Sequence, residues 1–281
     1  MTQPAGATIK NAEIEVKHIL TASKLTESGY AINPYVGCVH RCVYCYACYM
    51  KRFSNHTEMW GMFADAKVNA PVILSHDLKQ VKQACSVFFG SATDAYQPLE
   101  SKYKLTRSLL NVLRESEQLP FLRISILTKS DLVLRDMDVL KLLPRVSIGF
   151  SIALMSEKAR RLLEPCASPI SQRLNALRTL HQEGISTFVF IGPILPYCTP
   201  LEELFDAIDG HADYVFGETL NTQCGNFSNI LQAIRMLDKT LPIPFAHAVK
   251  SREFWNKTQS EFERLTELHR ICNHGFFRHD Q

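Results

Sequence analysis

The residues best suited to chemistry in this chain lie in the run Cys38-Val39-His40-Arg41-Cys42-Val43-Tyr44-Cys45. Thiols at this spacing can wrap a cubane of iron and sulfide while leaving one of its four irons without a protein ligand. Thiolates are the protein ligands of such clusters, and a cubane bound wholly by cysteine needs a fourth. An iron with an open position binds something else, which would make this loop a cofactor site. Cys48 continues the two-residue spacing. A structural zinc site would pair one Cys-x2-Cys with a second, distant one. Here the later cysteines, Cys85, Cys166, Cys198, Cys224 and Cys272, stand singly. Cys85 reads as a small buried residue where a helix gives way to a strand. A disulfide framework fits poorly with a chain this long that has nine cysteines and no secretory leader, and a reducing cytoplasm is the expected location.

Such a loop needs a scaffold. With 281 residues, 46% of them hydrophobic, the chain can bury one sizeable core, organised as one domain or two. No apolar run reaches the roughly 18 residues of a membrane span, so no membrane partner is expected. A formal net charge of +3 with dispersed Lys and Arg does not announce nucleic-acid binding. Thr2 to Asn11 should be loose and His279-Asp280-Gln281 should fray.

Short apolar runs alternate with helical patterns. Strands are expected at Tyr30 to Asn33, Ser86 to Gly90, Arg123 to Thr128, Val146 to Ile152, Thr187 to Ile191 and Tyr214 to Gly217. Helices are expected over Lys104 to Ser116, over Leu132 to Leu143 with Pro144 as the stop, over Glu157 to Leu163 and Ser171 to Glu183, and from Pro200 onward. Gly184 should close the helix before it in a left-handed conformation. Phe227 to Phe277 reads as helices. Six βα repeats with nearly continuous apolar strands imply a parallel sheet with right-handed crossovers. A closed eight-stranded barrel, a partial six-stranded barrel and an open doubly wound sheet all satisfy the pattern. In each, chemistry belongs at the carboxyl ends of the strands.

Polar residues do fall at those ends. Gly90-Ser91-Ala92-Thr93-Asp94 follows the second strand and supplies small residues, hydroxyls and a carboxylate. Lys129 follows the third, where it could hold a carboxylate or phosphate, and Ser151 ends the fourth. Gly192-Pro193-Ile194 after the fifth offers an apolar turn for a flat adenine. Taken singly, Thr93-Asp94 also reads as a turn or N-cap, Lys129 as a surface charge and Gly192-Pro193 as an ordinary turn.

The run Asn33-Pro34-Tyr35-x-Gly37-Cys38-x-His40-x-Cys42-x-Tyr44-Cys45-Tyr46-Ala47 resembles the radical S-adenosylmethionine (SAM) superfamily, and in particular its spore photoproduct lyase-like, or DNA repair photolyase-like, branch. Thr93-Asp94-x-Tyr96-Gln97-Pro98-x-Glu100, Leu127-Thr128-Lys129-Ser130 and Leu163-Glu164-Pro165 add to the resemblance, which spans about residues 30 to 220. It implies an α/β fold, a partial (β/α)6 TIM-type barrel of parallel strands, with C-terminal helices. Residues 1–29 would form an N-terminal extension, 30–220 the barrel, and 221–281 a helical segment packed on it. Cys38, Cys42 and Cys45 would hold a [4Fe–4S] cluster. Thr93, Asp94, Lys129 and Ser151 would bind SAM, with Ile194 near the adenine. The implied activity is reductive cleavage of SAM to a 5′-deoxyadenosyl radical that abstracts hydrogen from a substrate, the cofactor carrying the difficult step. An external electron donor such as flavodoxin or ferredoxin would be a partner, and DNA is one candidate substrate.

Where that branch's lyase uses a cysteine to return hydrogen to the product radical, this chain has Ser91, whose O–H bond is too strong for the task. Cys198, just past the fifth strand, is the candidate replacement, though it reads more readily as a buried or idle thiol. Tyr44 and Tyr46 match a suggested tyrosine relay; either reads equally as packing around the cluster, Tyr46 more so. Thymine-dimer repair is therefore not the expected activity, and the substrate is unassigned. The alternative reading is a non-catalytic nucleic-acid-binding module stabilised by zinc or a cluster, drawing on Lys51-Arg52, Tyr46, Tyr49 and Phe53.

Overall fold

The computed structural model describes residues 9–23 and 29–279. The chain forms two compact units: one from Thr2–His40 and Met50–Gly149, the other from Arg41–Tyr49 and Phe150–Gln281.

In the first unit the chain lays down β1 (Glu13–Ile14), β2 (Thr21–Ser23), β3 (Gly29–Ile32), β4 (Tyr35–Val36), β5 (Asp65–Lys67), α1 (Ala70–Asp77), β6 (Cys85–Phe89), α2 (Glu100–Tyr103), α3 (Leu105–Glu115), β7 (Leu122–Thr128), α4 (Met137–Leu140) and the start of β8 (Val146–Ser151). The main sheet runs β2-β3-β6-β7-β8, and β1-β5-β4 form a small separate sheet. β3, β6 and β7 are parallel, with Ile32 opposite Phe89 and Phe89 opposite Ile126, while β2 joins antiparallel. Val87, Phe89, Ile124 and Ile126 are buried beneath the helices, as strands covered by crossover helices must be. Leu105, Leu109, Leu110 and Leu113 make the buried stripe of α3. The helix expected over Leu132 to Leu143 is instead a 3-10 turn, Asp131–Asp136, followed by the short α4. The break falls at Asp136, whose fully buried carboxylate turns inward to Tyr96, Arg107 and Arg135.

The second unit carries the end of β8, then α5 (Glu157–Leu163), α6 (Ile170–Gln182), β9 (Ser186–Ile194), α7 (Leu201–Ile208), β10 (Tyr214–Thr219), α8 (Phe227–Leu237), α9 (Pro242–Lys250), α10 (Arg252–Leu268) and β11 (Asn273–Phe277). Its sheet runs β8-β9-β10-β11, with β9, β10 and β11 parallel. Gly184, at φ +77°, closes α6 as expected, its N–H bonded to the His181 carbonyl and that of Ile185 to Leu180. The reading of Phe227 to Phe277 as helices holds through α10 and fails at β11. Asn273-His274-Gly275-Phe276-Phe277 has no β-branched residue and little local strand signal; pairing with β10 makes it a strand. Gly217 of β10 permits this, because a Cβ there would lie 2.8 Å from the Phe276 ring.

In both runs consecutive strands are neighbours, so the order lacks the reversal that a doubly wound sheet requires. Two expected loose ends are partly ordered. Lys10 bridges to Phe63, although residues 1–8 lie outside the described residues. The His279 N–H bonds to Thr219 Oγ1 at 2.9 Å, while 280–281 are not described. Among the described residues no helix is long and apolar enough to cross a membrane.

The first unit's ionic core makes a stability prediction. Glu100, fully buried, accepts from the Tyr35 hydroxyl, from Arg135 at 2.7 Å and from the Thr106 N–H at 3.0 Å. Removing one partner of a buried pair strands the others, so Glu100→Ala should cost about 3–5 kcal/mol in urea unfolding. A loss under ~1 kcal/mol would contradict this account of the core.

Candidate active site

The cysteine loop begins at a turn only glycine can make. Gly37 has φ +84°, and a Cβ there would stand 2.4 Å from the Phe63 carbonyl oxygen. Cys38 follows, buried, with its flanking main chain gripped by one side chain. Gln97 donates to the Gly37 carbonyl at 3.1 Å and accepts from the Val39 N–H at 2.9 Å. Gln97 is itself fully buried. Two residues on, His40 Nδ1 lies 3.2 Å from Asp94 Oδ2, an ion-pair distance rather than an aligned hydrogen bond.

Asp94 is the centre of this half of the site. Its carboxylate accepts from the Thr128 hydroxyl at 2.7 Å, the Lys129 N–H at 2.7 Å and the Tyr96 N–H at 2.8 Å. Burial alone would raise its pKa, but His40 and these donors outweigh burial and hold it down at about 2. The loop before it is shaped by Asn33, which accepts from the Ala92 and Thr93 N–H groups and donates to Ser91 Oγ at 2.9 Å. The Thr93 hydroxyl is buried and donates to the Tyr35 carbonyl at 3.3 Å. Lys129 sits half-buried at the carboxyl end of β7.

In the second unit, Cys42 and Cys45 are half-buried, and the Cys45 N–H turns back to the Cys42 carbonyl at 3.1 Å. The intervening Tyr44 is buried and donates its hydroxyl to Glu164, which is fully buried and pairs with Arg173. Arg173 in turn donates to the Ser151 carbonyl at 2.9 Å and the Ser168 carbonyl at 2.8 Å. Burial, then the Glu164 carboxylate, pushes the Tyr44 phenol well above its ordinary range. Burial also opposes charge on Arg173, yet Glu164 outweighs it and keeps the guanidinium above the usual arginine value. The Ser151 hydroxyl donates to the Gly192 carbonyl at 3.3 Å, and Ile194 closes β9 as a buried apolar wall. Tyr46 is 44% exposed, whereas Tyr44 is 5% exposed. Cys198 is half-buried past β9, and burial pushes its thiol up to about 11.

The first unit thus carries Cys38, Thr93, Asp94 and Lys129 on the segments that follow its strands, and the second carries Cys42, Tyr44 and Cys45 on a loop tied to Glu164, with Ser151 and Ile194 at the ends of β8 and β9. Gln97, Asn33 and Glu164 lie in the recognisable motifs, but their sequence context gives no task. Arg173 and Asn226 are absent from those motifs. A charge between Ile170 and Leu174 on the apolar stripe of α6 is the one signal for Arg173. Among the described residues no disulfide joins any of the cysteines. Among the described residues no three Cys, His, Asp or Glu side chains converge as the ligands of one metal ion do; in a cubane each thiolate binds a different iron. Thiols on one loop, with buried side chains fixing the loop's main chain, are a donor set that fits an iron–sulfur cluster.

Residues 32–207 match the family model of the radical SAM superfamily. The chain belongs to that superfamily. An uncharacterized protein of Methanocaldococcus jannaschii is 35% identical over 211 residues, covering 75% of this chain and 73% of that protein. One from Mycobacterium tuberculosis is 28% identical over 187 residues, covering 64% of this chain and 54% of its own length. Among solved structures, spore photoproduct lyase complexed with dinucleoside spore photoproduct superposes with a TM-score of 0.70 at 16% identity, covering 95% of this chain and 82% of the lyase. The fold is the α/β partial TIM-type barrel of radical SAM proteins, with a mostly parallel sheet and C-terminal helices. Membership implies SAM and an iron–sulfur cluster as the cofactors of the family.

The Asp94 hub predicts a pH signature. Its folded pKa, about 2, lies below the ordinary 3.8, so its stabilisation is complete above that ordinary value and is lost as pH falls through the folded one. Asp94→Asn should be less stable than wild type at neutral pH, and the gap should close between about pH 4 and pH 2. A gap of constant size over that range, in parallel urea titrations, would remove Asp94 from its role as a charged hub.

Proposed function

We propose that Cys38, Cys42 and Cys45 hold a [4Fe–4S] cluster with one open iron, and that this chain is a radical SAM enzyme acting on a substrate by hydrogen abstraction. The observation that carries the reading is how the cysteine loop is held. Buried Gln97 grips the main chain on either side of Cys38, and buried Glu164 anchors Tyr44 beside Cys45. When bound, the cofactors supply an electron that splits SAM into methionine and a 5′-deoxyadenosyl radical.

The chain's residues bind and orient. Thr93 spends its proton on the Tyr35 carbonyl, so its oxygen is left as an acceptor that would suit the ammonium group of SAM. Lys129 offers a cation to the SAM carboxylate. Ser151, its proton given to the Gly192 carbonyl, accepts from a SAM N–H or O–H group, and Ile194 supplies an apolar surface for the adenine. Asp94 acts indirectly, by fixing His40 and the Lys129 main chain. Tyr44 is an anchor, and the exposed Tyr46 is the better relay candidate. Cys198 carries an S–H bond weak enough to donate a hydrogen atom where the O–H bond of Ser91 is too strong, and burial, which pushes its pKa up, favours the protonated thiol. The reductant is an external donor such as flavodoxin or ferredoxin. The lyase that shares the fold is seen with a dinucleoside photoproduct, and nucleic acid is accordingly the first substrate class to test.

Anaerobic reconstitution should give a brown protein containing iron and sulfide, which releases 5′-deoxyadenosine from SAM once reduced. Cys42→Ala should abolish that release. Bound zinc without iron, or full cleavage by Cys42→Ala, would overturn the proposal.

A further inference from the structure

Past the carboxyl end of β10 the chain turns through Asn221–Asn226 before α8 begins, and this segment holds the second part of the cysteine loop. Asn226 donates from one side-chain nitrogen to two carbonyls, those of Val43 and Cys45, each at 3.1 Å. The Cys48 thiol donates to the Cys224 carbonyl at 3.1 Å, fastening the same two segments a second time. The Val43 N–H is already bonded to the Leu163 carbonyl, so Asn226 completes the pairing of that residue's main chain.

Asn226 also forgoes the task its position offers. It is the N-cap residue of α8, where asparagine ordinarily accepts from a helix N–H, yet it makes no side-chain cap. Its Oδ1 is buried and has no hydrogen-bond partner, while the residue is 8% exposed. A lone buried acceptor is costly. The side chain is thus committed to the cysteine loop at the expense of its own helix, which a cap or a filler of space would not require.

We propose that Asn226 is a positioning residue that fixes the main chain of Cys45 and so the geometry at which its sulfur meets iron. The role rests on the cluster reading above. Groups that orient a metal ligand tune the metal as well as retain it, so the consequences extend beyond stability.

Asn226→Asp is the sharper variant: it keeps shape and N-cap preference but cannot donate to carbonyls. Asn226→Ala removes the side chain. In the full-length apo chain, both should speed amide hydrogen exchange over 43–48 by roughly tenfold or more, the scale of two lost hydrogen bonds, with α8 unchanged. After reconstitution, both should alter the electron paramagnetic resonance line shape and midpoint potential of the cluster. Wild-type exchange or a wild-type spectrum in Asn226→Asp would overturn the proposal, as would faster exchange spread equally through α8. If wild-type protein takes up no iron or sulfide, the cluster reading fails, and the apo exchange still decides whether Asn226 holds the loop.

Discussion

A buried carboxylate tied on one side to the cysteine loop and on the other to a strand end is the interaction on which the site depends, and each unit has one. In the first, Asp94 joins His40 to Thr128 and Lys129 at the end of β7. In the second, Glu164 joins Tyr44 to Arg173, and through it to Ser151 at the end of β8. A short loop that must present thiols has too few apolar side chains to pack itself into place. Its buried main chain must find polar partners, and these carboxylates and amides supply them.

Such pairs are poor sources of net stability, because taking charges out of water offsets most of what their attraction returns. An apolar residue at Asp94 or Glu164 would leave His40 or Arg173 without its partner and the loop without its tether. What the arrangement provides is geometry. Positions proposed for cofactor contact and positions that place the loop are linked by hydrogen bonds, so a shift at one is felt at the other.

Much of the fold was legible because its strands are buried runs bounded by glycine, proline and polar turns, and because helices such as α3 carry an unbroken apolar stripe. β11 was not, since its strand character comes from its neighbour rather than from its residues. The helix expected before Pro144 broke because a buried carboxylate, Asp136, must face inward. The candidate site was legible as a list of types: cysteine spacing suggested a cluster, and strand-end polar residues, with the family resemblance, suggested SAM contacts. Division of labour within the list was hidden: Asp94, read as a cofactor residue, and Tyr44, read as either relay or packing, are bound into the scaffold, and the contacts of Gln97, Arg173 and Asn226 exist only in three dimensions.

The claim beneath all of this is that the three-cysteine loop leaves one iron open to SAM. Electron–nuclear double resonance on the reduced, reconstituted protein, mixed with SAM carrying nitrogen-15 in its amino group, tests it most directly. The account predicts a resolved nitrogen-15 coupling that vanishes with unlabelled SAM. A reduced cluster whose spectrum shows no such coupling at saturating SAM would contradict it.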